Sequence, residues 1–381
     1  MTGLGAVAGC SGQESADDTG ATESSTATNG DDTTTTATGS WPQLQYDAAN
    51  TGFAPDATGP TGAVTERWSY DTEGLSSSPV VAGGTVYAGG FDGYVHAVAT
   101  DDGTERWTHE VGDQAASMPA VADGLVYVWG EVLTGGRVVS TLYALDAADG
   151  TEQWRIETAS MSSPTLADGT LYIQGGRNIS ALDAADGTEQ WSYETGGGSS
   201  TPAVADGTVY AGGYDGNVYA VDAADGTERW VFETDGEVRP SPAVADGTVY
   251  VGSGYETMHA VDAADGSERW AYETAGASSS VVAEDTIYIG SWDENVYAVD
   301  AADGSERWAY ETDGRVAAPA AVVDRTVYVG SRDNNLYALD AVDGTERWSY
   351  ETGELVDSGA AVVDGTVYVC VDETMYALAE Q

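Results

Sequence analysis

Tryptophan recurs at a nearly fixed interval along this chain, and that interval limits the folds open to it. Trp68, Trp107, Trp154, Trp191, Trp230, Trp270, Trp308 and Trp348 stand about 40 residues apart. A period of this length, filled with several short apolar segments, belongs to a ring of small sheets rather than to one long core. One period, residues 199–230, reads SSTPAVADGTVYAGGYDGNVYAVDAADGTERW. Pro202-Ala203-Val204-Ala205 reads as a short inner strand ended by Asp206-Gly207, a tight-turn dipeptide. Thr208-Val209-Tyr210-Ala211 is the second strand and Val218-Tyr219-Ala220-Val221 the third. Ala223-Ala224-Asp225-Gly226 then turns into the fourth, Thr227 to Glu233.

The second-strand pattern occurs eight times, around Tyr87, Tyr127, Tyr172, Tyr210, Tyr250, Tyr288, Tyr328 and Tyr368. The expected fold class is therefore all-β, an eight-bladed β-propeller of four-stranded antiparallel blades. The last copy stops at Ala377-Leu378-Ala379 without a fourth strand, while a spare one, Val64 to Trp68, precedes the first copy. The N-terminal strand is expected to complete the C-terminal blade, which closes the ring and removes two exposed sheet edges.

The stretch Ala220-Val221-Asp222-Ala223-Ala224-Asp225-Gly226-Thr227-Glu228-Arg229-Trp230 resembles the tryptophan-docking motif of PQQ-type, or quinoprotein-type, propellers. Asp stands where that motif has Thr at its sixth position, and Ala99 replaces the motif's Asp in the copy ending at Trp107. The lead-in from Trp41-Pro42-Gln43 to Asn50-Thr51-Gly52-Phe53 is also similar to that superfamily. The resemblance covers residues 41–381. It implies that the eight indoles pack against the next blade's motif, each buried Trp contributing about 2–3 kcal/mol.

Composition narrows the setting. There are 63 acidic residues against 13 basic ones, a formal net charge of −50. All the basic residues are Arg. Such a surface repels nucleic-acid phosphates and, in dilute buffer, itself. At molar salt the Debye length falls to about 3 Å, so the composition reads as adaptation to a salty, haloarchaeal setting. The acids are spread through every repeat, which argues against one patch for a basic ligand.

At the start of the chain, Val7-Ala8-Gly9-Cys10 resembles the lipobox of bacterial and archaeal lipoproteins, with Cys10 as the lipid attachment point. No basic n-region precedes it. Residues 11–40 are almost wholly Ser, Thr, Gly, Ala, Asp and Glu, a composition that lacks the apolar mass to offset ordering entropy. The organisation expected is a truncated signal or lipobox-like segment at 1–10, a disordered linker at 11–40 and the propeller at 41–381.

A search for chemistry finds little. His96 and His259 occupy the slot held by Tyr219, Tyr297 and Tyr337 in sister copies, and His109 the slot of Tyr193 and Tyr272. These read as aromatic replacements within the architecture. Cys370 reads as a small buried hydrophobe. The Asp-Ala-Ala-Asp-Gly turns lack the alternating ligands of a calcium loop. Quinoprotein dehydrogenases resemble one another in an adjacent Cys pair, a calcium site and a catalytic Asp. This chain has no adjacent Cys pair and no Lys, so no cofactor, metal or catalytic residue is expected.

Differences between copies carry the remaining signal. The loops between second and third strands, and between blades, emerge at one end of the ring. There the copies offer Phe91, Arg177, Tyr214, Arg239, Tyr255, Trp292, Asp293, Arg315, Arg332 and Asp333, and one long insertion, 130–140. Aromatics mixed with Arg and Asp suit a binding face for a protein or glycan. Around the axis, Ser77, Ser117, Ser162, Ser200, Ser279 and Ala317 suggest a neutral funnel, with Arg239 and Asp357 its exceptions. The function expected is a monomeric, lipid-anchored scaffold on the extracellular face of the membrane, similar to the outer-membrane assembly lipoprotein of bacteria. The alternatives are a minimal quinone-dependent oxidoreductase and a glycan-binding module.

Overall fold

A computed structural model describes residues 40–381, apart from 73, 76, 114–116, 135, 160–161, 255 and 277–278. The expectations for Cys10, the linker through residue 39 and Tyr255 lie outside the described residues.

The alternating apolar segments pair as expected. A two-residue strand β1 (Phe53–Ala54) and a long strand β2 (Val64–Asp71) precede blade 1, formed by β3 (Val80–Ala82), β4 (Thr85–Gly89), β5 (Tyr94–Ala99) and β6 (Glu105–Glu110). Six further blades repeat this innermost-to-outermost order. In the eighth, three strands from the C-terminus, the last being Thr374–Glu380, are joined by β2 as the outer strand. The closing ladder runs from Val64 opposite Glu380 to Asp71 opposite Thr374. The ring is thus closed by the N-terminal strand. Blade 7 departs from four strands, because β1 pairs parallel with its innermost strand, Ala321–Val323.

Each blade junction repeats one set of contacts. Trp230 Nε1 donates to the carbonyl of Ala263 in the next blade at 2.9 Å, and Tyr210 of the same blade reaches that carbonyl too. The two rings lie 5.7 Å apart. The indole rests on Gly266, whose φ of +75° favours glycine and whose Cβ, if present, would lie 2.8 Å from the Trp230 ring. Equivalent indole bonds link Trp68, Trp107, Trp154, Trp191, Trp270 and Trp308 to the following turn. At the seam no such turn exists, because blade 8 takes its outer strand from the other end of the chain. There the carbonyl of Pro60 accepts from both Trp348 and Tyr328, each at 3.0 Å.

The axis is filled by the chain itself. Residues 41–52 cross the hub in an irregular path. The central N–H of the innermost strand donates to this segment in seven successive blades: Val81, Val121, Leu166, Val204, Val244, Val282 and Val322. Six of these bonds end on backbone carbonyls and the one from Leu166 on Gln43 Oε1. Asn50 Nδ2 donates to the carbonyls of Thr201, Pro202 and Pro242, and Gln45 Nε2 to that of Ser280. A partly enclosed cavity of about 10 Å³ remains beside Trp41 and Gln45, room for about one water.

This arrangement corrects the expectation of a neutral serine funnel. Ser77, Ser117, Ser162 and Ser200 are buried, and each Oγ accepts from a backbone N–H of its blade's second strand. Ser279 is half-buried and accepts from Ser241 N–H. These serines tie the loops before the innermost strands to the neighbouring backbone.

Candidate binding face

Strand direction places the loops. Innermost strands run away from the between-blade loops, so those loops and the second-to-third hairpins share one end, here called the rim. The tight turns with Asp-Gly share the other. The two ends differ in chemistry. Among the described residues, nine large hydrophobic side chains are exposed. Phe91, Tyr94, Leu133, Val138, Tyr214, Trp292 and Leu355 lie at the rim, leaving only Val231 and Val342 elsewhere.

Arginine divides in the same way. Arg67, Arg106, Arg229, Arg269, Arg307 and Arg347 each donate to the first Thr of their own blade's second strand. The last four of these also pair with Asp222, Asp262, Asp300 and Asp340. They serve the blade. Arg137, Arg177, Arg239, Arg315 and Arg332 stand at the rim instead, all exposed.

Two rim arginines reach back to the hairpin of the preceding blade, and a third, in the blade 7 hairpin, pairs with the loop that follows that blade. The Arg239 guanidinium lies 4.9 Å from the Tyr214 ring centre, and that of Arg315 lies 5.5 Å from the Trp292 ring centre. Arg332 pairs with Asp357 at 2.8 Å, and this partner holds its guanidinium pKa up. Trp292 is further fixed by its N–H donating to Gly276 O, on whose Cα side the indole lies. Tyr214 N–H donates likewise to Gly197 O, and its hydroxyl meets Ser199 Oγ. These rings are therefore held in place with their outer edges open, the arrangement of anchor residues at interfaces.

Asp293 and Asp333 are placed differently. Each accepts from a tyrosine hydroxyl four residues on, Tyr297 at 2.8 Å and Tyr337 at 2.7 Å, and from the N–H of Asn295 or Asn335. Burial raises the Asp293 pKa, but hydrogen bonds from Ser291, Tyr297 and Asn295 outweigh it and leave it below the ordinary value. These carboxylates fold back to cap their own hairpins. Arg177 sits 3.7 Å from Glu194, and Phe91 is among the most exposed aromatic rings at 59%.

The insertion at 130–140 is strand, not loop. Leu125–Thr134 and Arg137–Asp146 pair without interruption to the Thr134–Arg137 tip, extending blade 2 beyond its neighbours. Leu133 and Val138 are exposed near that tip. Sequence reasoning missed both, along with Tyr94 and Leu355. The available signal was the long interval between Tyr127 and Leu145 with apolar residues on both sides of Gly136.

One group of side chains has the order of an acyl-transfer triad. His259 Nε2 meets Ser253 Oγ at 2.8 Å and Nδ1 meets Glu268 Oε1 at 2.9 Å. Ser253 is only 3% exposed, so a substrate carbonyl cannot reach it, and Phe232 packs edge-on against the imidazole. His259 fills the slot that Tyr219 fills in blade 4. His96 does so in blade 1, between Asp92 and Tyr70. His109 packs against Tyr143. Cys370 is buried, and burial pushes its thiol pKa up. Among the described residues no three His, Cys, Asp or Glu side chains are grouped to hold a metal.

The sequence matches the profile of the family described as outer membrane protein assembly factor BamB, over residues 56–160, 130–201, 177–315 and 293–381. BamB of Salmonella typhimurium is 32% identical over 97 residues, 24% of either chain. The serine/threonine-protein kinase AfsK of Streptomyces griseus is 37% identical over 131 residues, 29% of this chain and 15% of that one. These matches thus span a quarter or less of the relatives' own lengths. BamB from Moraxella catarrhalis superimposes with a TM-score of 0.70 at 20% identity, covering 84% of this chain and 98% of that one. Quinohemoprotein alcohol dehydrogenase from Comamonas testosteroni gives 0.75 at 16% identity, covering 90% and 81%. At such identities the likeness establishes the fold.

Proposed function

We propose a function from one premise: this chain belongs to the family of the outer membrane protein assembly factor BamB. It acts as a non-catalytic scaffold that binds a protein at its rim, tethered to the outer face of a membrane through a lipid on Cys10. The observation that carries this reading is the segregation of seven of the nine exposed large hydrophobics, with five arginines, onto one end of an otherwise acidic ring. Aromatic residues and Arg are the types enriched in interface cores. The hub favours the same reading. Cofactor pockets measure some 300–1,000 Å³, whereas the cavity beside Trp41 and Gln45 holds about one water.

The test is a pull-down from salt-grown cells with the intact chain and with Trp292→Ala/Arg332→Ala. Loss of a specific partner from the double variant, with an unchanged melting temperature, supports the proposal. Equal recovery by both chains rejects the rim as the binding face. The quinone-dependent reading draws on the likeness to quinohemoprotein alcohol dehydrogenase, both in structure and over 98 residues at 33% identity. Stoichiometric uptake of the quinone with calcium, accompanied by dye reduction, would establish it in place of the scaffold. The glycan alternative predicts selective retention on a glycan array in molar salt.

A further inference from the structure

We infer that the hub is a binding site for a turn-rich peptide, and that the protein occupies it with its own residues 41–52. The inner edge of a blade normally presents unpaired backbone N–H groups, which invite strand addition. Here seven such edges converge, and each donates its central N–H to the crossing segment at 2.7–3.0 Å. No part of residues 41–52 is in a strand or helix, so the segment meets these donors as a ligand would, by its carbonyls and amide side chains.

Specificity comes from two buried amides. Asn50, 1% exposed, spans blades 4 and 5 with three acceptors, and Gln45, 4% exposed, reaches blade 6. The path is imposed by the hub. Gln45, Tyr46 and Asn50 all take positive φ, between 50° and 76°, a conformation that costs non-glycine residues energy in isolation. Asp47 fixes the bend by accepting from Thr51 N–H and Thr51 Oγ1. The fit is also incomplete within the protein, since Gln45 Oε1 and Ser280 Oγ find no partner among its own groups. A strained, imperfectly satisfied insert is an exchangeable one. The ligand class is a turn-rich peptide of about a dozen residues, with small side chains at 48–49 and a buried amide at 50.

The test keeps the full chain. A site-specific protease sequence is inserted between the exposed Pro55 and Asp56, and the folded protein is cut. The leading fragment should stay bound through gel filtration in molar salt. In sub-denaturing urea a labelled synthetic peptide of residues 41–54 should replace it, while the same peptide with Asn50→Ala should bind at least tenfold more weakly. Separation of the fragment from a ring of unchanged stability, unfolding of the ring on cleavage, or equal binding of the two peptides would each overturn the inference. In the uncut chain, Asn50→Ala should speed hydrogen exchange at Val204, Val244 and Val282 at least tenfold, leaving the outer strands unchanged. No difference between the two chains would also overturn it.

Discussion

Trp348 and Pro60 meet at 3.0 Å across 288 positions of sequence, and the bond between them completes a set that seven other tryptophans make with the next blade's turn or loop. If the seam is as sound as the ordinary junctions, it should respond to mutation as they do. Trp348→Ala and Trp230→Ala should each cost about 3–5 kcal/mol, measured by denaturant unfolding in molar salt. Trp348→Phe should cost less, since it keeps most of the ring and loses one hydrogen bond. A seam cost far below that at Trp230 would mean that Pro60 is a weak substitute for a turn.

Closure by β2 makes a second forecast. A chain in which Val64–Asp71 is replaced by a Gly/Ser stretch of equal length keeps the hub segment and Pro60 but loses the outer strand of blade 8, leaving Thr374–Glu380 as an open edge. It should melt at lower temperature with a broader transition and associate through that edge, seen by light scattering after gel filtration. A monomer with the parent's transition would show that β2 is dispensable.

Two glycines separate steric from conformational cost. Gly226, at φ +71°, would place a Cβ 2.7 Å from the Trp191 ring, whereas Gly207, at φ +66°, would meet nothing closer than 3.8 Å. Gly207→Ala should therefore cost about 1 kcal/mol, the left-handed backbone penalty alone. Gly226→Ala should cost about 1–3 kcal/mol more, as overpacking adds to it. Equal losses in thermal unfolding would remove the indole from the explanation.

Tyrosine ionisation sets an alkaline limit. Burial, followed by the hydrogen bond to Asp293, raises Tyr297 from 10.0 to about 12. Burial does the same for Tyr127 and Tyr288. The folded state then holds protons that the unfolded chain releases near pH 10, so stability falls as pH rises from about 10 to about 12. Tyrosinate absorbance and loss of β-sheet circular dichroism should rise together in that window. Tyrosinate appearing fully near pH 10 with the fold intact would contradict this.

Much of the ring was legible because each blade is coded locally. The Asp206-Gly207 turn, the alternation through Tyr210 and Tyr219, and the return of Trp at Trp230 place four strands without any long-range information. The spare strand ending at Trp68 could be read by counting. The hub could not. Gln43, Gln45 and Asn50 have no periodicity, and their partners lie up to 235 residues away. The rim was legible where one residue type replaced another, as with Trp292. It was illegible where the backbone changed, as in the extended hairpin carrying Leu133. The inward turn of Asp293 was also hidden, since a carboxylate in a hairpin looks alike in sequence whether it faces solvent or caps its own strand.

The path of the hub segment has a geometric corollary. Trp41 bridges Val81 in antiparallel fashion, whereas β1 runs parallel to the innermost strand of blade 7. The chain therefore climbs into the axis from the acidic-turn end and descends to that same end, where Thr58 accepts from Gly365 and Pro60 meets Trp348. The described chain thus enters the axis at the pole opposite the aromatic crown.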